Sequence, residues 1–139
     1  ISMPRSIFTD ANLENLKGII AAKRSLICKA LGTDDLPLEI TDTKVSFPWF
    51  PGQLDADSVK AYDTFICKLC EMARNQKRVN GTEKQVDNEK YAFRCFLLRL
   101  GFIGNEYKTE RKILLKNLTG SSAFKSGAKK EVSSDEISE

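Results

Sequence analysis

Apolar residues change their spacing several times along this chain, and each change marks an expected element. Leu13, Leu16, Ile20 and Ile27 recur at helical spacing with Leu31 on the same side. A first helix is therefore predicted from a cap at Thr9 or Asp10 to a stop at Gly32. Lys23 and Arg24 interrupt its stripe, so the middle of this helix is only partly covered. Beyond the loop Gly32-Thr33-Asp34-Asp35 the period falls to two. Leu38 and Ile40 alternate with Glu39 and Thr41, and Val45, Phe47 and Trp49 alternate with Ser46 and Pro48. That pattern predicts an antiparallel β-hairpin over residues 37–50, turning around Asp42 and Thr43, with one apolar face. Pro48 has no N–H to donate, so its strand lies at an edge or its ladder ends there. Two strands alone are marginal in water, and the hairpin must lie against helices.

Pro51-Gly52 closes that segment. Val59, Tyr62, Ile66, Leu69 and Ala73 repeat with three-four spacing, supplemented by Phe65 and Met72, and predict a second helix from Asp55 or Asp57 to about Lys77. After a break at Asn80-Gly81, Thr82 is followed three residues later by Gln85, the pattern of a capping box. It opens a third helix striped by Val86, Phe93, Leu97 and Leu100 and widened by Phe96 and Leu98. Gly101 ends this helix, and Phe102 and Ile103 are expected to be buried in the corner. Asn105 can cap a fourth helix whose face is Tyr107, Ile113, Leu114 and Leu118, and Gly120-Ser121-Ser122 stops it. The expected fold is α+β and mainly helical: about four helices, with a small antiparallel hairpin between the first and second. Residues 1–8 read as a flexible N-terminus or the remnant of an expression tag ahead of Met3. Residues 9–124 form a single domain, and residues 125–139, rich in Lys, Glu and Ser, a flexible charged tail.

Composition keeps this picture and narrows the setting. The chain has 139 residues, 41% apolar and 29% charged, which suits one soluble domain with a real core. It has no run of eighteen apolar residues and no basic-then-apolar leader, so neither membrane insertion nor export is expected. Four cysteines are too sparse for a secreted disulfide framework, and free thiols suit the cytoplasm. Asn80 and Asn117 match the glycosylation pattern by letter only.

Charge changes the picture more. The net charge of +3 hides a basic segment: residues 1–73 hold eight basic and ten acidic side chains, whereas residues 74–125 hold twelve and five. A field of that size attracts polyanions, or an acidic protein. Arg94, Arg99, Lys108, Arg111, Lys112 and Lys116 are the candidate nucleic-acid-binding residues, with arginine able to read guanine edges and lysine contacting phosphate. The link over residues 101–105 is similar to a helix-turn-helix corner in length and glycine content, a feature many helical hairpins share. Glu110 on the same helix is expected to pair with neighbouring lysines along its surface. Simple solvation of these charges is the competing reading.

Reactive chemistry finds little material. Cys67-Lys68-Leu69-Cys70 places two thiols three apart, but zinc needs about four ligands, the chain has no histidine, and Cys28 and Cys95 lie singly on other helices. Both cysteines of the pair share a face with the apolar stripe and are expected to be buried and unreactive. Absence of histidine excludes Ser-His-Asp and Cys-His catalysis. Asp55, Asp57 and Asp63 suit a helix cap and its dipole, and no glycine-rich phosphate loop follows a strand. No catalytic residue, metal site or cofactor is expected, and the chain does not read as an enzyme. Phe47, Trp49 and Phe50, framed by Pro48 and Pro51, form an aromatic patch that is core if packed and a candidate protein-binding anchor if a ring stays exposed.

The run NEKYAFRCFLLRLGFIG over residues 88–104 and GSSAF over residues 120–124 resemble small uncharacterised proteins of gut Firmicutes and their mobile elements. The resemblance extends from about Val45 to Phe124. It implies no activity or site residue, and a mobile-element setting modestly favours nucleic-acid handling. The expected role is a non-catalytic binding module whose 74–125 region contacts DNA or RNA phosphates. The alternative is a protein-interaction adaptor, including self-association as a dimer, that uses the aromatic hairpin and apolar helix faces.

Overall fold

A computed structural model describes residues 1–50, 54–77, 81–83 and 86–119. These residues form strand β1 (Ser2–Pro4), a 3-10 turn (Arg5–Ile7), helices α1 (Asp10–Ala22) and α2 (Arg24–Leu31), strands β2 (Glu39–Ile40) and β3 (Lys44–Ser46), helices α3 (Ala56–Asn75) and α4 (Glu89–Leu100), a second 3-10 turn (Asn105–Tyr107) and helix α5 (Lys108–Leu115). The fold is α+β and mainly helical. The expected stops at Pro51-Gly52 and Gly120-Ser121-Ser122, the cap residue Gln85, and Asn80, Phe124 and the charged tail lie outside the described residues.

Thr9 opens α1 with a reciprocal cap: its hydroxyl accepts the Asn12 N–H at 3.0 Å, and the Asn12 carboxamide oxygen accepts the Thr9 N–H at 3.0 Å. The helix does not run to Gly32. It stops where the polar pair interrupts the stripe, at Lys23 (φ −120°, ψ 16°), and α2 begins afresh. A new helix start exposes N–H groups that need acceptors, and Lys23 supplies none from its side chain. The acceptor comes from far along the chain: Ser25 N–H donates to the Glu83 carboxylate at 2.9 Å. That negative charge also suits the positive end of the helix dipole. The bend lets Leu16, Ile19 and Ile20 of α1 and Leu26, Ile27 and Ala30 of α2 all reach the core.

The hairpin is present with shorter strands than expected, and it has a third member. The sheet order is β1-β3-β2, antiparallel throughout, with Val45 opposite Met3 on one side and Ile40 on the other. The first eight residues, expected to be flexible, are tied in: Phe47 N–H donates to the Ile1 carbonyl at 2.8 Å, Arg5 N–H donates to Thr43 at 3.0 Å, and Phe8 is buried. The alternation Ile1-Ser2-Met3 is too short to mark a strand, so backbone pairing decides it. β3 is central, and its ladder ends at Ser46, ahead of the donor-less Pro48. Phe47 and Trp49 then enter the core, at 0% and 3% exposure. Their rings meet edge to face at 5.2 Å, and the indole N–H donates to the Pro37 carbonyl at 2.7 Å.

α3 packs against both α1 and α5, and buries Ala61, Phe65, Ile66, Leu69, Cys70 and Ala73. Val59, assigned to its stripe by spacing, is exposed instead. At its far end Asn15, buried in α1, donates to the carbonyls of Ala73 at 3.2 Å and Gln76 at 2.6 Å. α4 starts at Glu89 rather than near Thr82, because Asn88 accepts the Tyr91 N–H at 3.1 Å and caps it there. Val86 therefore lies before the helix and is exposed. Gly101 ends α4 at φ 114°. Phe102 turns inward with no exposure, whereas Ile103, expected in the same corner, points out. Gly104, not Asn105, precedes the 3-10 turn that leads into α5. Among the described residues no helix is long and apolar enough to cross a membrane.

Asn15→Ala removes the donors that close the end of α3 and takes a partner from the buried Ala73 carbonyl and the part-buried Gln76 carbonyl, which should destabilise the fold by about 1–3 kcal/mol. Urea unfolding followed by circular dichroism measures it. An unchanged midpoint would mean that α3 does not depend on this contact.

Candidate nucleic-acid interface

α5 sorts its residues by direction. Leu114 and Leu115, with Leu118 just beyond the helix, are buried against the core. Lys108, Lys112 and Lys116 are exposed, and their four-residue spacing puts them in one row on the outer face. Lys116 keeps helical backbone angles, so the row continues past the last assigned turn. None of the three has an ion-pair partner among the described residues. Lys116 does act on Asp55 near the start of α3. The Ser58 hydroxyl chiefly, and the Lys116 charge to a lesser degree, hold the Asp55 carboxyl below its ordinary range.

Glu110 does not lie along this surface as expected. It is 4% exposed, turned beneath the helix toward α3, where Lys60 meets it at 3.5 Å. Lys60 itself is largely exposed, so the pair is screened and adds little stability. Its effect on the surface is larger: the acidic residue of α5 is withdrawn from the lysine row.

Arg111 is not a free contact residue. Its guanidinium donates to the carbonyls of Phe102 and Gly104, each at 2.9 Å, and holds the turn between α4 and α5. Arg94 is half-buried on α4 and engaged within the fold. Arg99 is exposed and lies over the Phe96 ring at 5.9 Å, in a shallow depression with Glu71, Asn75 and Gln76 at the C-terminal end of α3. Lys116 is near the opposite end of that helix, whose twenty residues span about 30 Å. The six candidates thus do not form one point. The fold aligns Lys108, Lys112 and Lys116, sets Arg99 apart and turns Arg111 to structural use.

Burial of Phe47 and Trp49 removes them as surface anchors. Phe50 is half-buried and stacks on Tyr62 at 4.8 Å and 16°. With Ile1, Pro48, Leu54 and Val59 these two rings line an apolar groove of about 300 Å³. Ile1 and Val59 were not legible as its walls, since neither the third strand nor the exposure of Val59 follows from spacing.

The cysteine pair divides. Cys70 is buried, and burial first of all pushes its thiol up to about 12. Cys67, expected to be buried with it, is exposed, because it stands one step outside the apolar stripe. Partial desolvation and then the charges of Asp63 and Glu71 also raise its thiol. Both are protonated near neutral pH, and the thiolate is the form that attacks or binds metal. Among the described residues no three histidine, cysteine or acidic side chains come together to hold a metal ion. Against known proteins, the chain matches no family model, no curated protein and no solved structure.

The raised Cys70 value has a pH consequence. Its folded pKa lies above its ordinary value of 9.0, so its contribution to stability is fully present below about 9 and is lost as pH rises toward about 12. Unfolding measured across that range should show a fall that Cys70→Ala reduces. In native alkylation at neutral pH, Cys67 should react before Cys70, which becomes reactive only on unfolding. Equal labelling would contradict the buried position.

Proposed function

We propose that this protein is a non-catalytic binding module that contacts the phosphates of DNA or RNA through the outer face of α5. The observation that carries the reading is the row of Lys108, Lys112 and Lys116, without an ion-pair partner among the described residues, from which Glu110 is withdrawn into its pair with Lys60. Successive lysines rise about 6 Å along the helix, so the row covers about 12 Å, a length over which one nucleic-acid strand offers several charges at about 3.4 Å each. Lysine is a compact point charge that meets phosphate without reading sequence. A mobile-element setting, implied by the resemblance over residues 45–124, is compatible with that role.

A second reading, a protein-interaction module, is favoured by the apolar groove of Ile1, Phe50, Leu54, Val59 and Tyr62. The two separate by salt. Phosphate-led binding weakens steeply as counterions compete, whereas an apolar contact changes little.

Binding to mixed-sequence single-stranded DNA, double-stranded DNA and RNA, measured by fluorescence anisotropy across a salt series, tests the first reading. Lys108→Gln, Lys112→Gln and Lys116→Gln combined should weaken binding and reduce the log-log salt slope by about 2 to 2.7. No binding by the parent at low salt would reject nucleic acid and turn attention to the groove.

A further inference from the structure

Ile103 is the most exposed large apolar residue among those described, at 63%. A single isoleucine on a loose loop would mean little, but this one stands on a fixed support. Its own N–H donates to the Gly101 carbonyl at 2.8 Å. Arg111 donates to the carbonyls of the residues immediately before and after it. Phe102 beside it is fully buried, and the Lys68 ammonium from α3 lies over the rings of Phe102 at 5.7 Å and Tyr107 at 4.7 Å. An apolar tip is thereby held out in one orientation, with little freedom left to lose on binding.

We propose that Ile103 is the apolar contact of the same interface, packing on a sugar or base face of a nucleic acid whose phosphates meet Lys108 and Lys112; this rests on the reading above. Through the 3-10 turn Asn105–Tyr107 the tip is joined to α5, five positions before Lys108, the first lysine of the row. Glu106, also exposed in the second 3-10 turn, is the acidic group on this corner and disfavours close phosphate approach at that one point. A polyanion suits the remaining charge. An anionic bilayer suits the apolar side less well, because the apolar face of α5 is buried in the core and one side chain gives little insertion. Nucleic-acid binders, by contrast, do use single apolar side chains against base steps.

The test uses the full chain and the same DNA and RNA probes across a salt series. Ile103→Ala should weaken binding by about fivefold, from the lost apolar contact, with the salt slope unchanged, whereas Lys112→Gln lowers the slope by about 0.7–0.9. Ile103→Leu keeps the apolar bulk and should bind like the parent. If Ile103→Ala binds as well as the parent while the lysine variants lose affinity, the contact is refuted and the phosphate reading stands. The contact is also refuted if Ile103→Leu is as weak as Ile103→Ala. If the parent binds no nucleic acid, both fall. Binding to anionic phospholipid vesicles that Ile103→Ala abolishes, without nucleic-acid binding, would make the tip a membrane contact and overturn the proposal.

Discussion

Asn15 sits where α1 crosses α3, and its carboxamide reaches carbonyls that α3 leaves open at its end. Every helix leaves N–H groups unmet at one end and carbonyls at the other. In a chain whose α2 and α5 have only eight residues each, end groups are a large share of the backbone. Such helices do not persist alone in water. At α2 and α4 open ends are met from elsewhere in the chain. Glu83 takes the Ser25 N–H at the start of α2, Asn117 donates to the Ala30 carbonyl near its end at 3.0 Å, and Lys90 N–H at the start of α4 donates to Thr119 at 3.0 Å. Long-range caps thus tie the short α2 and the start of α4 to distant parts of the chain, and Asn117 is an internal tie.

The same interlocking sets the surface. α5 can show a row of lysines because its other side is committed to α3, with Leu114 and Leu115 buried and Glu110 drawn under the helix to Lys60. A carboxylate left on the outer face would have cancelled part of the field. Of the charge that sequence counting assigns to residues 74–125, α5 presents three lysines in one row, while Arg74 and Lys77 are exposed at the far end of α3, Arg99 stands near that end and Arg111 faces the turn.

Apolar periodicity carried the long elements because a helix of twenty residues repeats its pattern enough times to be read. α3 was legible in this way, and its start at Asp55 or Asp57 and the stops at Gly32 and Gly101 from the cap and glycine residues beside the pattern, whereas for Phe47 and Trp49 the spacing left core and surface anchor both open. β1 was not, because three residues cannot show a period and their pairing depends on β3 far along the chain. The break at Lys23 was visible only as a weak spot, since the group that makes it stable, Glu83, is 58 positions away from Ser25. Thr82 and Asn88 both carry cap chemistry, and sequence spacing alone cannot rank two competing caps. At the site, the row of lysines follows from four-residue spacing. The withdrawal of Glu110 and the outward turn of Ile103 do not, because each depends on how α3, α4 and α5 meet.

Arginine and lysine divide their labour across the described surface in a way that bears on recognition. Arg5 donates to the Phe8 carbonyl at 2.7 Å and to Asp10, Arg24 donates to the Asp34 carbonyl and to Asp35 at 2.9 Å, and Arg111 spans two carbonyls of one turn. These planar forks hold loops and helix ends, a geometry lysine cannot reproduce. Base-edge reading in a groove relies most on such forks, and at Arg111 one fork nitrogen, Nη1, is committed to both carbonyls of the turn. What the outer face of α5 offers is lysine, which meets phosphate but does not distinguish one base from another. On the proposed reading, such a surface would bind by charge and discriminate by shape. Any preference among nucleic acids would then follow from how closely the strand follows α5 and what it presents to the exposed Ile103.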